Sequence, residues 1–582
     1  MFLPMTRDEM NSRGWDELDI ILVTGDAYID SPLIGVALIG KLLERSGFRV
    51  GIIAQPDLEG DDISRLGEPV LFWGVTGGSV DSLVANTTAL KKRRRDDDYT
   101  PGGKNDRRPD RAAIKYTNLI RRHFKGTVPI VLGGLEASLR RIAHYDYWSN
   151  SIRRSILFDA KADYLIYGMA ESTVIELAEI LRDGSSVDSL RGICRIVKKP
   201  PEDAIQLPAY EMVSNDKAQF TEMFRTFYLN TDPLSAKPLA QAHGDRWLLQ
   251  HSPAKNLTEA ELDTIYELEF EREAHPHELA RGEIRALETI RFSLATHRGC
   301  YGECNFCAIA VHQGRTVQSR SRESITREAA SFKDHPEFKG NIYLGGSPTG
   351  NMYGFECKRK WTKGSCLDKR CMTPELCETM PVTHDPQLKL LKELRSIEKV
   401  KRVFVTSGIR YDLILDDKTH GGKYLDALID HHVSGQMKVA PEHIEDHVLE
   451  MMGKPRREVL DEFYDRFQES VKRSGKPLFM TYYLIAAHPG CSNEDMESLR
   501  EYSRKKLRIS PEQVQIFTPL PSTWSAVMYW TESDPFTGKL IHVEKDMQRK
   551  QRQKELLVGK RSDPRLKSRG QSELKKNRSR KR

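Results

Sequence analysis

The chain has 582 residues, of which 39% are hydrophobic and 30% charged, a balance that is typical of a folded protein and not of a disordered one. No stretch approaches the roughly 20 consecutive apolar residues that cross a bilayer, and residues 1–15 lack the apolar centre of a secretory signal. We therefore expect a cytoplasmic protein without membrane contact, divided into about three or four domains.

The first part of the chain alternates apolar, strand-like runs such as LDIILVT at residues 18–24 with amphipathic helical stretches. This alternation is typical of a parallel, doubly wound sheet, so we predict a Rossmann-like α/β domain over residues 1–183. Within it, the charged, Gly- and Pro-containing segment 91–111 is predicted to be a mobile surface loop. Residues 184–285 show no regular alternation, and a connector is predicted there.

Strand–helix alternation resumes at residue 291 and gives six strand candidates, at residues 292–296, 341–344, 402–406, 436–439, 479–485 and 513–517. Six such units predict a partial (β/α)6 barrel over residues 286–544, with a Cys-rich insertion at 347–384. The site of a barrel of this kind lies where loops leave the carboxyl ends of the strands.

The last segment, residues 545–582, contains 16 Lys or Arg against 4 Asp or Glu, which accounts for the positive net charge of +7. Because it has few apolar residues, burial would not offset the entropy lost on ordering it. A basic, disordered tail is therefore predicted. Clustered cations could contact RNA or another polyanion nonspecifically, and without interleaved aromatic residues no base recognition is expected.

Three cysteines in a CxxxCxxC spacing, Cys300, Cys304 and Cys307, follow the first barrel strand. Three thiolates can hold three irons of a 4Fe-4S cluster and leave the fourth iron without a protein ligand. An amino acid such as methionine can chelate that iron, which would bring the sulfonium of S-adenosylmethionine (SAM) beside a reducible cluster. Phe306 is predicted to form an aromatic wall. Zinc is the competing interpretation, but zinc prefers four ligands and the nearby histidines lack the required spacing.

The loop resembles the radical SAM superfamily, whose CxxxCx(aromatic)C motif the chain matches. Four runs are similar to the YgiQ group of that superfamily: THRGCYGECNFCAIAVHQGR at residues 296–315, GGSPTGNMYG at 345–354, KVAPEH at 438–443 and FTPLPSTWSAVMY at 517–529. The resemblance covers nearly the whole chain except the tail. It implies an enzyme that cleaves SAM reductively to a 5′-deoxyadenosyl radical, with an electron donor such as flavodoxin or ferredoxin and an unknown substrate.

The resemblance also implies a set of residues that seat SAM. A Gly-Gly-Glu turn of the superfamily corresponds here to Gly345, Gly346 and Ser347, so that a Ser347 oxygen would accept the hydrogen bond from the SAM amino group. Ser407 and Arg410 suit the ribose hydroxyls and the carboxylate of SAM. A tight loop without a ligand, and a solvated salt bridge at Arg410, are the alternatives.

A second group of cysteines lies between the second and third barrel strands, among six Lys and Arg residues. Its members are Cys357, Cys366, Cys371 and Cys377. Cationic neighbours favour thiolates, so the group could close a zinc site or hold an auxiliary iron–sulfur cluster. A loop of free thiols is equally consistent with spacings that match no standard zinc ribbon.

The N-terminal domain resembles the cobalamin-binding domain that precedes many radical SAM barrels. A base-off cobalamin domain carries an Asp-x-His-x-x-Gly loop after its first strand, whereas this chain has GDAYID at residues 25–30, with Tyr28 and no histidine. The resemblance therefore favours a scaffold or substrate platform over a cobalamin site.

Two functions follow from these patterns. The first is a radical SAM enzyme. The alternative is a noncatalytic metal-binding protein that uses both cysteine groups structurally and contacts RNA through its tail.

Overall fold

A mixed sheet of nine strands forms the N-terminal half of the molecule in the computed structural model, which describes residues 1–511 and 514–558. Its first strands are apolar along their whole length and buried, as expected when helices cover both faces of a parallel sheet. The strands of this half, including the separate β5–β6 hairpin, are β1 Ile20–Thr24, β2 Val50–Ala54, β3 Phe72–Thr76, β4 Ile130–Gly133, β5 His144–Asp146, β6 Ser151–Arg153, β7 Tyr164–Ile166, β8 Ile193–Val197, β9 Ile205–Leu207, β10 Leu239–His243 and β11 Arg246–Gln250.

Helices connect these strands and pack on both sides of the sheet. A typical one, α7, ends at Gly184, which adopts the left-handed conformation that terminates helices. The helices of this half are α1 Arg7–Ser12, α2 Gly35–Arg45, α3 Ser82–Asn86, α4 Ala112–His123, α5 Gly134–Ser138, α6 Ile156–Ala160, α7 Glu171–Asp183, α8 Tyr210–Val213, α9 Lys217–Leu229, α10 Glu259–Tyr266, α11 Pro276–Leu279 and α12 Ala286–Ile290.

The sheet runs in the order β2-β1-β3-β4-β7-β8-β11-β10-β9. Its first five strands are parallel, and the direction of winding reverses between β1 and β3, which confirms the predicted doubly wound fold. Ligands of such sheets bind at the carboxyl ends of the strands beside this switch point. The predicted connector, residues 184–285, instead supplies β8–β11, which extend the sheet from the β7 edge. These strands include polar residues, so the sequence of this segment shows no regular strand–helix alternation.

The C-terminal half is built of parallel strands that alternate with helices, together with one short antiparallel pair, β12–β13. Its strands are β12 His297–Arg298, β13 Gln318–Ser319, β14 Asn341–Leu344, β15 Arg402–Val405, β16 Gln436–Glu442, β17 Phe479–Ala486 and β18 Val514–Ile516. Its helices are α13 Ile309–Gln313, α14 Arg322–Ser331, α15 Lys358–Lys363, α16 Asp385–Ser396, α17 Tyr411–Asp416, α18 Gly421–Ala427, α19 Asp446–Met452, α20 Arg457–Ser474, α21 Asn493–Lys505, α22 Trp524–Thr531 and α23 Met547–Val558.

Six parallel segments form an open barrel, as predicted. Backbone bonds join residues 292–294 to β14, since Leu294 N–H donates to the Tyr343 carbonyl at 2.8 Å. Next come β14–β15, a parallel bridge from Ile409 to Val439 in β16, then β16–β17 and β17–β18. The two halves share a hydrophobic core, in which Val311, Phe517 and Trp524 of the barrel pack with strands of the N-terminal sheet.

Two charged segments are anchored to the folded core. Segment 91–111 is a loop whose residues 91–96 are exposed, as predicted for a surface loop, while its buried Arg108 forms ion pairs with Asp26 (2.6 Å) and Asp97 (3.1 Å); the mobility of the loop stays a prediction. In the tail, α23 is a helix with Lys550 and Leu557 buried, because it packs against aromatic and aliphatic side chains of both halves. The rest of the predicted tail, residues 559–582, lies outside the described residues. None of the helices in the described ranges is long and apolar enough to span a membrane.

Candidate active site

A short antiparallel pair of strands closes the base of the cysteine loop. His297 and Arg298 in β12 pair with Ser319 and Gln318 in β13, so the residues between them project as one loop after the first barrel segment. Gly299 has a φ of +78°, and a Cβ there would collide with the Thr316 carbonyl oxygen. The loop therefore starts with a turn that requires glycine.

Two of the three thiols in the loop each have one N–H donor beside the sulfur atom. The Gly302 N–H donates to Cys300 Sγ at 3.3 Å, and Arg410 Nη1 lies 3.7 Å from Cys304 Sγ. A Cβ on Gly302 would lie 2.7 Å from Arg410 Nη1, so glycine is required for this approach. Burial raises the pKa of the Cys300 thiol and that of Cys307, the latter to about 12; binding of a metal would have to displace these protons.

The number of thiols in the loop fits a cluster better than a single zinc ion. A structural zinc site takes four ligands, and this loop supplies three thiols. A 4Fe-4S cube holds its thiolates on separate irons, so three thiols on one loop suit a cube with one open iron.

Glu303, inside the cysteine loop, fixes that loop to three other parts of the molecule. Its Oε2 accepts hydrogen bonds from Tyr228 of α9 and Arg315, both at 2.8 Å, and its Oε1 lies 3.5 Å from Lys360 Nζ in α15. Burial favours the protonated form, but the charges of Arg315 and Lys360 outweigh it and hold the pKa of Glu303 below its ordinary value. The sequence analysis missed this residue, and only its place between two motif cysteines could have drawn attention to it.

The predicted glycine turn lies against the end of the first barrel segment. Ser347 Oγ accepts hydrogen bonds from the backbone N–H groups of Thr296 (2.8 Å) and His297 (3.1 Å), and the Ser407 hydroxyl donates to the Ser347 carbonyl oxygen at 3.0 Å. The structure thus brings Ser347 and Ser407 together. A Cβ on Gly346 would lie 3.0 Å from the Ala295 nitrogen, so the close approach of these strands needs that glycine.

Arg410 is at the cluster loop but is not a free guanidinium. Its Nε and Nη2 donate to the two carboxylate oxygens of Asp412 at 3.0 and 2.5 Å. The side-chain amide of Asn351 donates to the Arg410 carbonyl oxygen and accepts from the Arg410 N–H. The pair is buried. Arg410 therefore contributes positive charge beside Cys304, while its predicted contact with the SAM carboxylate stays a prediction.

A cavity of about 650 Å³ separates the cysteine loop from the carboxyl ends of the N-terminal strands. The lining residues that matter below are Thr24, Thr76, Gly133 and Gly168 on the sheet side, and Phe306, Cys307, His312 and Gly346 on the barrel side. The cavity adjoins the β1/β3 switch point, where such sheets bind ligands. Phe306 lines this cavity next to Cys307, and its role as an aromatic wall stays a prediction.

Two buried polar groups at the cavity wall were not predicted. Arg298 forms an ion pair with Glu171, which joins the barrel to α7 of the N-terminal half. Burial and the charge of Arg141 lower the pKa of His312 to about 4, so its imidazole is neutral near pH 7. Its buried Nδ1 has no hydrogen-bond partner within the described ranges.

The loop that would carry a cobalamin histidine is filled by a tyrosine network. Tyr28 is buried and donates to Asp30 Oδ1 at 2.8 Å, and Asp26 is held by Arg108. This loop offers no imidazole, and the expectation against cobalamin stays a prediction.

The second cysteine group lies beside the first. Cys357 and Cys371 are buried in a small core that also contains Tyr301 and contacts Cys300, and Cys377 packs against the same core. Cys366 is partly exposed.

Comparison with known families agrees with this geometry. The family model described as Radical SAM N-terminal matches residues 2–293, and that of the Radical SAM superfamily matches residues 294–502, which include the cysteine loop. This chain belongs to the radical SAM superfamily. Membership implies a 4Fe-4S cluster and SAM as cofactors of the radical SAM barrel.

Relatives and solved structures of similar architecture extend over most of the chain. A UPF0313 protein of Fusobacterium nucleatum is 52% identical over 97% of this chain and 99% of its own, and one of Thermotoga maritima is 46% identical over 96% and 99%. The radical SAM methyltransferase TsrM from Kitasatospora setae, with cobalamin and a 4Fe-4S cluster bound, is similar over 88% of this chain and 78% of its own (13% identity, TM-score 0.49). OxsB, a cobalamin-dependent SAM radical enzyme, is similar over 90% and 56% (11% identity, TM-score 0.49).

Proposed function

We propose that this protein cleaves SAM reductively and uses the resulting radical to remove a hydrogen atom from a substrate held in the cavity between its two halves. The observation that carries this is the CxxxCxxC loop of Cys300, Cys304 and Cys307, whose last cysteine lines that cavity together with Phe306. When bound, the reduced cluster and SAM supply a 5′-deoxyadenosyl radical and methionine. The electron comes from a one-electron donor of the flavodoxin or ferredoxin class.

The residues around the loop would position these cofactors. Cys300, Cys304 and Cys307 hold three irons, Arg410 compensates negative charge at Cys304, and the oxygen atoms of Ser347 and Ser407 border the place of the SAM amino group and ribose. Asp412 offsets the charge of Arg410, while Arg410 Nη1 is directed at Cys304 Sγ. Hydrogen bonds to the sulfur atoms of a cluster make it easier to reduce, which would favour electron transfer to the cluster.

The cavity would hold the substrate and keep water away from the radical. Most of its surface is apolar, with Phe306 at the cluster side and strand-end glycines at the other. His312 lines the cavity and is neutral near pH 7, so its imidazole would offer a hydrogen bond to a polar group of the substrate. We assign substrate binding to both halves together, with the N-terminal sheet as the platform.

The direct test uses anaerobically reconstituted full-length protein with dithionite and SAM. We expect conversion of SAM to 5′-deoxyadenosine and methionine in equal amounts. Cys304→Ala should abolish this conversion because one iron loses its ligand, while Cys194→Ala, which alters a buried cysteine of the N-terminal sheet, should leave it unchanged.

Substrate capture is followed with deuterium. Extract from cells grown in heavy water is added to the reaction, and deuterium in 5′-deoxyadenosine reports hydrogen removal from a component of the extract. If the reconstituted wild type holds iron but produces no 5′-deoxyadenosine, the proposal is wrong.

A further inference from the structure

We propose that Cys357, Cys366, Cys371 and Cys377 hold a second iron–sulfur cluster, distinct from the cluster that binds SAM. The insertion that carries them would then be a redox centre covering the first one. Four cysteines supply a complete ligand set for an iron–sulfur cluster, so SAM has no open iron to bind there.

Three cysteines of the insertion meet at one small core. The Cys377 N–H donates to the Cys371 carbonyl oxygen at 2.8 Å, which holds the backbones of the last two cysteines together. The N–H of Cys357 donates to Tyr301 Oη at 3.2 Å, next to the first motif cysteine. Residues separated by about twenty positions in sequence therefore share one small core with Cys300.

Positive charge accompanies the cysteine side chains of the group. Arg359 Nε donates to Cys366 Sγ at 3.1 Å and also lies near Cys357. Lys360 lies beside Cys371, and Lys369 beside Cys377. A cluster with four thiolates carries net negative charge, which these cations would balance. Cationic neighbours also favour the deprotonated thiols that bind metal.

The spacing of these cysteines along the sequence favours a cluster over a zinc ion. The intervals of eight, four and five residues differ from the paired CxxC spacing of zinc ribbons.

The test separates this site from the SAM-binding cluster by removing the latter. We would reconstitute full-length Cys300→Ala/Cys304→Ala/Cys307→Ala protein anaerobically and measure iron, acid-labile sulfide and zinc, with absorption and electron paramagnetic resonance spectra. This variant is expected to keep about two to four irons with matching sulfide. Adding Cys371→Ala and Cys377→Ala should remove that iron, while adding Cys194→Ala and Cys491→Ala should not.

The wild type should bind about eight irons if both clusters are cubes, and variants of the second group alone should keep the first four. Cys366→Ser is a second probe, because Cys366 is partly exposed and its substitution should not disturb packing. Zinc at one ion per chain, or no metal in the triple variant while the wild type holds four irons, would overturn the second site and leave the proposed SAM chemistry intact.

Discussion

Glu303 is the single side chain that ties the cysteine loop to its surroundings. Glu303 is buried and has a φ of +44°. Its carboxylate accepts hydrogen bonds from, or forms ion pairs with, side chains of α9, α15 and the segment after α13. A buried carboxylate of this kind is stabilised only as long as its partners remain, since removing one member of a buried ion pair leaves an uncompensated charge. The geometry of the cluster loop therefore depends on a residue that does not bind metal.

Glu303→Gln is expected to destabilise the protein by about 3–5 kcal/mol, because Arg315 and Lys360 would be buried without a counter-charge. For a chain of this length that lowers the unfolding midpoint by roughly 3 °C. Differential scanning calorimetry measures this midpoint, and Glu179→Gln, on the exposed face of α7, is the control. An unchanged midpoint would contradict the role assigned to Glu303.

The pH dependence of that stabilisation follows from the sign of the pKa shift. Because the pKa of Glu303 is lowered in the folded protein from the ordinary value of 4.5, its contribution is fully present above pH 4.5. It is lost as the pH falls below 4.5 through the lower folded value. The difference between wild type and Glu303→Gln should shrink over this acidic range.

Residues of the site differ in how far the sequence reveals them. Cys300, Cys304, Cys307 and Phe306 lie within eight positions, so their spacing alone indicates a cluster loop. The partners of Glu303 and the Arg410–Asp412 pair at Cys304 become neighbours only through folding. Such long-range pairings leave no local pattern in a single sequence.

At the scale of elements, α23 shows an ordered helix in a segment whose composition predicts disorder. Lys550 Nζ lies 3.2 Å from Tyr147 Oη and 2.8 Å from Tyr529 Oη, between the two rings. Gln553 Oε1 accepts from the Ala487 N–H at 2.9 Å. The helix thus joins the N-terminal half to the end of β17, and its order comes from tertiary contacts that composition does not report.

The docking of α23 should strengthen as the pH rises. Burial and the nearby charge of Lys91 lower the pKa of Lys550 to about 7, against an unfolded value near 10.4. The folded state then binds fewer protons than the unfolded state between these values, so stability increases with pH across that window. From pH 6.5 to pH 9, wild type should gain about 2 kcal/mol relative to Lys550→Met.

Chemical denaturation of both proteins at the two pH values measures this difference. Lys554→Met, one turn further along α23, serves as the control and should keep the pH dependence of the wild type. If the stability of wild type and that of Lys550→Met changed equally between the two pH values, the pKa of Lys550 would not be lowered by its burial.

The strands β1–β4 were predictable because their runs are largely apolar, as in buried parallel strands. The barrel strands alternate between buried and more exposed residues, and their regular alternation with helices identified them. The strands β8–β11 were missed, since they lie towards the far edge of the sheet and include polar residues such as Gln241 and Arg246. The strand β8 pairs with β7 at the edge of the parallel part of the sheet, and β11 pairs with β8 in turn.

At the scale of the whole molecule, the cavity is the feature that makes both halves necessary for the proposed reaction. Gly133 lies at its sheet side in an extended conformation (φ −152°), and a Cβ there would meet no atom within 4 Å. A side chain can therefore be introduced without backbone strain, and it would occupy space that the substrate needs.

Gly133→Phe is expected to fold and to keep its clusters, but to lose substrate-dependent deuterium transfer by about tenfold or more, because the ring fills the cavity. SAM cleavage without substrate should change less. Gly422→Phe, at an exposed position of α18 that is equally open, is the control. Unchanged deuterium transfer in Gly133→Phe would place the substrate elsewhere.

The core shared by the sheet and the barrel also constrains the order of events during synthesis. Phe517 and Trp524 complete the hydrophobic packing of strands that end near residue 250, so a nascent N-terminal half has an unfinished apolar face when it leaves the ribosome. At about 5–20 residues per second, the missing residues follow only after tens of seconds. During that interval the emerging chain is a natural client of chaperones that bind exposed apolar surface.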